Sequence, residues 1–116
     1  MNHQNLAPEV NRAIAQSELE EGVWLKDLKV GSLLRIRTRN TSYTLERRED
    51  GLYLSGHAKY CPEPVKTNIH GSTWGGSMLK MHFVVRGMRL EFSDPRYEGG
   101  RGVVTTSEIQ EIAEVQ

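Results

Sequence analysis

The sequence has one cysteine, Cys61, so no internal disulfide can brace the fold. The lone thiol, together with an opening MNHQNLAPEV that has neither the basic nor the apolar region of a secretion signal, points to the cytoplasm. Long hydrophobic runs are missing as well. No apolar stretch approaches the roughly 20 residues a helix needs to cross a bilayer, which argues against a membrane span.

Net charge is absent, since 15 Lys and Arg stand against 15 Asp and Glu. A neutral chain has no overall field to draw it to nucleic acid or an anionic membrane, so a partner of that kind is not expected and any anion must be held by a local patch. CxxC, HxH and HExxH pairs are all lacking. His57, Cys61, His70 and His82 are therefore scattered polar or small apolar positions, and no metal or other cofactor is expected. No serine has an identifiable base beside it in sequence, and Asp50 and Asp94 fall at turns, so no catalytic set can be assembled.

What the chain does have is alternation. At 116 residues it is long enough for one domain with its own core. Residues 1–22 read either as a disordered polar leader or as a short helix with Val10, Ala13 and Ile14 on one side after Pro8, and residues 23–116 read as a single β-barrel-like domain. From Leu33 the period is two. Leu34, Ile36 and Thr38 alternate with Arg35, Arg37 and Arg39, and after a turn at residues 40–42 Tyr43 and Leu45 alternate with Thr44, Glu46 and Arg48. Asp50-Gly51 signals a tight turn into a third strand, Leu52 to Leu54. The prolines of residues 56–64 predict an irregular excursion at a sheet edge.

Val65, Thr67 and Ile69 continue the strand pattern until Gly71-Ser72-Thr73-Trp74-Gly75-Gly76-Ser77, which reads as a wide hairpin loop. Leu79, Met81, Phe83 and Val85 then alternate with Lys80, His82 and Val84, and Arg86-Gly87 turns them into a hairpin with Met88, Leu90 and Phe92. Val103 to Thr105 reads as a strand, and Ile109 to Val115 as a strand or a short helix. The expected class is all-β, a small antiparallel barrel or meander. Its expected core is Leu34, Ile36, Leu45, Leu54, Ile69, Leu79, Met81, Phe83, Leu90 and Phe92.

Two features can hold a ligand. Arg35, Arg37 and Arg39, extended by Arg48, form a cationic stripe that is either a phosphate grip or a solvated face balanced by Glu46 and Glu49. The Gly71–Ser77 segment offers backbone N–H groups at Gly75 and Gly76, hydroxyls at Ser72 and Ser77 and a stacking ring at Trp74.

The same segments carry two resemblances. Thr38-Arg39-Asn40-Thr41-Ser42-Tyr43 together with Gly71 to Ser77 resembles a small bacterial β-domain family of unknown function, over residues 30 to 112. That likeness implies an all-β fold and no activity. Arg35 and Arg39, spaced as RxxxR, and Ser72 and Gly75, spaced as in D/N-x-S-x-x-G with His70 at the Asp/Asn position, are similar to the PilZ domain motifs. This second likeness implies a β-barrel that binds cyclic di-GMP through both arginines. The functional expectation is a non-enzymatic domain that binds a protein partner or a small anionic ligand, with a PilZ-like nucleotide sensor and a small enzyme as alternatives. A homo-oligomer is compatible with either.

Overall fold

The structure, a computed structural model, describes residues 22–75, 78–97 and 101–115. Within them the chain is all-β, as the alternation predicts, and no helix is long and apolar enough to cross a membrane. The leader or short helix expected over 1–22 lies outside the described residues except for Gly22.

The strands are β1 (Val23–Trp24), β2 (Leu33–Thr38), β3 (Ser42–Arg48), β4 (Gly51–Ser55), β5 (Val65–Lys66), β6 (Ile69–Gly75), β7 (Met78–Met81), β8 (Phe83–Val84), β9 (Arg89–Ser93) and β10 (Val103–Val115). A single 3₁₀ turn, Leu25–Asp27, follows β1. Eight strands form one antiparallel sheet in the order β5-β4-β3-β2-β10-β9-β6-β7, and β1 pairs with β8 separately. Only β2 to β5 is a simple meander, because β10 inserts between β2 and β9.

The first two hairpins follow from their residues. In β2, Leu34, Ile36 and Thr38 are buried while Arg35 and Arg37 are exposed, and in β3 Tyr43 and Leu45 are buried. Register pairs Leu34 with Leu45 and Ile36 with Tyr43, so one apolar face is continuous across both strands. The second turn is displaced by one residue from expectation: Arg48 pairs with Gly51, which leaves Glu49-Asp50 as the two-residue loop and makes Gly51 the first residue of β4. Proline-containing residues 56–64 form the expected excursion, closed by an isolated bridge between His57 and Cys61.

β10 is a strand of thirteen residues, which decides the strand-or-helix alternative at 109–115. Its first part pairs with β9 and its second with β2, with register shifts at Thr105/Glu108 and Ile109/Glu111 where it changes partner. β5 and β6 make a similar exchange. Only Thr67 and Asn68 separate them, yet β5 lies at one edge of the sheet and β6 next to the other. The three residue steps from Lys66 to Ile69 reach about 10 Å, whereas the six steps between these strands in a flat sheet cover about 29 Å, so the sheet curls strongly. At the link the Thr67 N–H donates to Leu52 O (3.1 Å) and the Ser93 N–H donates to Asn68 O (2.9 Å), joining β4 and β9 across it.

Three expectations fail in residues 71–92, for connected reasons. The segment from Gly71 is not a loop, since β6 runs on through Gly75 with Ser72 and Thr73 buried. Gly71 makes this possible: at φ +140° it lies so close to β7 that a Cβ would collide with the Lys80 carbonyl oxygen. The expected hairpin between residues 79–85 and 88–92 does not form either, because β9 pairs with β6 and β10, while β8 pairs with β1. His82, at φ +60°, breaks the alternation, so Val84 is fully buried, Phe83 only half-buried, and Leu79 and Met81 of the edge strand are exposed.

The remaining core is as expected, with Leu34, Ile36, Leu45, Leu54, Ile69, Leu90 and Phe92 at 2% exposure or less. Leu25, Tyr43, Cys61, Val84, Val104, Ile109 and Ile112 join it. Tyr43 and Tyr60 each set an edge against the Phe92 ring, at 6.0 and 6.5 Å between centroids.

Candidate functional site

The curl at Thr67-Asn68 opens a cleft of about 960 Å³. Its walls come from the 3₁₀ turn (Leu25, Lys26), the ends of β3 and β4 (Arg47, Leu52), the link itself, and the segment after β9 (Ser93, Asp94, Pro95, Tyr97). Arg47 has the parity of the buried Tyr43 and Leu45, so an inward strand position at the end of the apolar face carries a guanidinium. Lys26 and Lys66 add two more cations, and Lys66 also stands 3.7 Å from Asp50 in an exposed ion pair.

Among the described residues the single carboxylate on the cleft is Asp94, which is buried and clasped by Arg96. Arg96 Nε donates to Oδ1 at 3.0 Å and Nη2 donates to Oδ2 at 2.8 Å, and the backbone N–H of Arg96 donates to Oδ1 at 3.0 Å. These bonds hold the Asp94 carboxyl below its ordinary value. Its charge is thus already satisfied, and among the described residues the lining of the cleft is cationic in balance.

Beside the cleft, β6 and β9 carry a second polar group. Ile69 pairs with Phe92 and Gly71 with Glu91, so His70 is an extra residue in β6, a bulge. Its ring meets Glu91 Oε2 through Nδ1 at 2.8 Å and the Ser93 hydroxyl through Nε2 at 2.9 Å. The backbone fixes this bulge from the other side, since the His82 N–H donates to His70 O (2.7 Å) and the Leu25 N–H donates to His82 O (2.8 Å). His82 itself lines the cleft.

The residues expected to bind a ligand are not brought together. Ser72 is fully buried and its hydroxyl donates to Phe83 O at 2.7 Å, which makes it a tie within the core. β2 is three steps from β6 in the sheet, about 14 Å. Arg35 lies 3.9 Å and Arg37 3.8 Å from Glu111 of β10, an acidic partner that local sequence reading does not supply. Arg39 is exposed beyond the end of β2, and its backbone N–H donates to Glu108 O. Arg48 does pair with Glu46, at 3.0 Å, and lies 4.0 Å over the Tyr53 ring. Trp74 is 61% exposed in β6, Gly75 ends that strand, and Gly76 and Ser77 fall outside the described residues.

Among the described residues no three His, Cys, Asp or Glu side chains are placed to hold a metal ion. His57 instead accepts the N–H groups of Lys59 and Tyr60 at Nδ1 (3.1 and 3.3 Å). Burial pushes the Cys61 thiol above its ordinary value, which keeps it protonated at neutral pH.

Arg47, Lys66, Glu91 and Ser93 are not singled out by the sequence, and His70 stands out there only as a scattered polar position and at the Asp/Asn place of the PilZ-like spacing. Only Arg47 leaves a local signal, a charge on the apolar parity of its strand. His70, Glu91 and Ser93 come together through β6–β9 pairing, which the expected neighbouring hairpin conceals. No protein-family model, curated protein or solved structure matches the chain.

Proposed function

We propose that this protein is a ligand-binding β-domain that takes a small anionic ligand in the cleft at the β5–β6 link. The observation that carries the reading is the charge of the lining: among the described residues Lys26, Arg47 and Lys66 face one carboxylate, and that carboxylate is already held by Arg96. The volume of about 960 Å³ is that of a small-molecule site. Leu25, Leu52, Ile69 and Tyr97 supply apolar wall, while Asn68 and Thr67 supply polar groups for orientation. The exposed Lys66–Asp50 pair is weak enough to release Lys66 to a ligand.

The barrel form of the fold is part of this reading. It is supported by the β5–β6 link, which hydrogen-bonds to β4 on one side and β9 on the other. The cleft is then the mouth of the barrel.

Calorimetric titration with inorganic phosphate, citrate and a nucleoside monophosphate tests the proposal. Binding should weaken at least about tenfold in Arg47→Ala, as loss of a charged hydrogen-bond partner implies, and should fall with added salt. No binding of any of these anions at millimolar concentration, or equal binding by Arg47→Ala, rejects it. Cyclic di-GMP is a further anion to titrate: sensitivity to Arg35→Ala and Arg39→Ala places its grip on the β2 stripe, and sensitivity to Arg47→Ala places it in the cleft.

A further inference from the structure

The Glu91–His70–Ser93 chain has the order of contacts that acyl transfer uses. An ionised carboxylate only accepts, which places the proton on Nδ1 beside Glu91 and, in the neutral ring, leaves Nε2 as the acceptor for the Ser93 hydroxyl. Both distances, 2.8 and 2.9 Å, are within hydrogen-bond reach before any substrate is bound. Two further observations separate this set from an ordinary polar surface pairing. Ser93, buried at 7% exposure, is one of the residues of the cleft wall, so the set borders the proposed ligand site. His70 is the bulged residue of β6, and a bulge aims a side chain that regular pairing would place elsewhere.

We propose that Ser93 is a nucleophile and His70 its general base, with Glu91 as the positioning residue, and that the site cleaves esters whose acyl part carries an anionic group. The substrate class rests on the cationic cleft proposed above as the ligand site. Ser93 Oγ bonds to the ester carbonyl carbon as its proton passes to His70 Nε2, and the carbonyl π pair moves to oxygen. Lys26, Arg47 and Lys66, with the Asn68 amide on the same wall, favour that negative charge. The pair returns, the bond to the leaving alcohol breaks, and the alcohol takes the proton from His70. Water then attacks the acyl-serine by the same route, releasing a carboxylic acid and restoring the Ser93 hydroxyl.

The wild-type full chain is treated with a fluorophosphonate that labels activated serines, and the product is read by intact mass and peptide mapping. One label per chain, on Ser93, is expected, with loss of label in Ser93→Ala and His70→Ala. Hydrolysis of a p-nitrophenyl hemiester of succinate should fall at least about a hundredfold in Ser93→Ala. Glu91→Gln should lower kcat with little change in KM and alter the pH profile, whereas a role in stability alone would leave the pH profile of the folded fraction unchanged.

A folded wild-type chain that takes no label on Ser93, or hydrolysis that persists in Ser93→Ala, overturns the inference. Phosphate titration of the same samples distinguishes the two proposals. Phosphate binding without labelling removes the reaction and keeps the ligand site, and labelling without phosphate binding keeps the nucleophile and removes the cationic cleft as its substrate site.

Discussion

Asp94 and Arg96, two residues apart, form a closed pair in which one guanidinium meets both carboxylate oxygens while its plane lies 4.9 Å from the Tyr60 ring. The pair ties the segment after β9 to the wall of the cleft and offsets the one acidic charge that the described residues place there.

This pair sets an acid limit on the segment. Its bonds hold the folded-state carboxyl below the ordinary 3.8, so the unfolded chain takes up that proton more readily. The contribution is complete at neutral pH and is lost as pH falls through about 4 to the lowered folded value. Thermal melts of wild type and Asp94→Asn should therefore differ at pH 7 and converge toward pH 3. A constant difference across that range contradicts the account.

Tyr43 sets an alkaline limit with the opposite sign. Burial pushes its hydroxyl up to about 12, against 10.0 for the free side chain, so the unfolded chain gives up this proton first. Stability from this group is intact below pH 10 and declines above it, by at most about 1.4 kcal/mol per pH unit. Tyr43→Phe should flatten that decline in denaturant titrations between pH 9.5 and 11.5.

Ser72 distinguishes a core tie from a ligand contact. Its buried hydroxyl donates to Phe83 O, and Ser72→Ala leaves that carbonyl without this donor, a loss of about 1–3 kcal/mol. Anion binding by the folded protein should not change. Weaker binding at equal stability would return Ser72 to the ligand site.

Phe92 and Met81 were both expected in the core and now separate. Phe92 is fully buried against Tyr43 and Tyr60, and Phe92→Ala should lower stability by about 3–5 kcal/mol. Met81 is 65% exposed on the edge strand, and Met81→Ala should stay within about 0.5 kcal/mol. Equal effects in urea unfolding would mean that β7 is not at the surface.

Gly71→Ala adds a methyl where the Lys80 carbonyl already stands, at a φ of +140° that alanine disfavours. The β6–β7 pairing should loosen, with faster amide exchange across Ser72 and Lys80. Unchanged exchange there would contradict the close approach.

The alternation of apolar and polar residues was enough, from the sequence alone, to establish an all-β chain, the faces of β2 and β3, and most of the core. Period two is a property of the strand itself, and Leu34, Ile36, Tyr43 and Leu45 needed no distant partner to declare their side. The tertiary structure alone decided which strands pair. β10 lies between β2 and β9, and β9 lies beside β6, because pairing depends on how a strongly curled sheet brings distant segments together. That choice converted the glycine-rich segment from loop to strand, sealed Ser72 in the core and paired Arg35 with Glu111. The same choice assembled His70, Glu91 and Ser93 from two strands more than twenty residues apart. Local periodicity records which face a residue occupies and carries no information about its neighbour across the sheet, so the candidate site became visible only once the chain had folded.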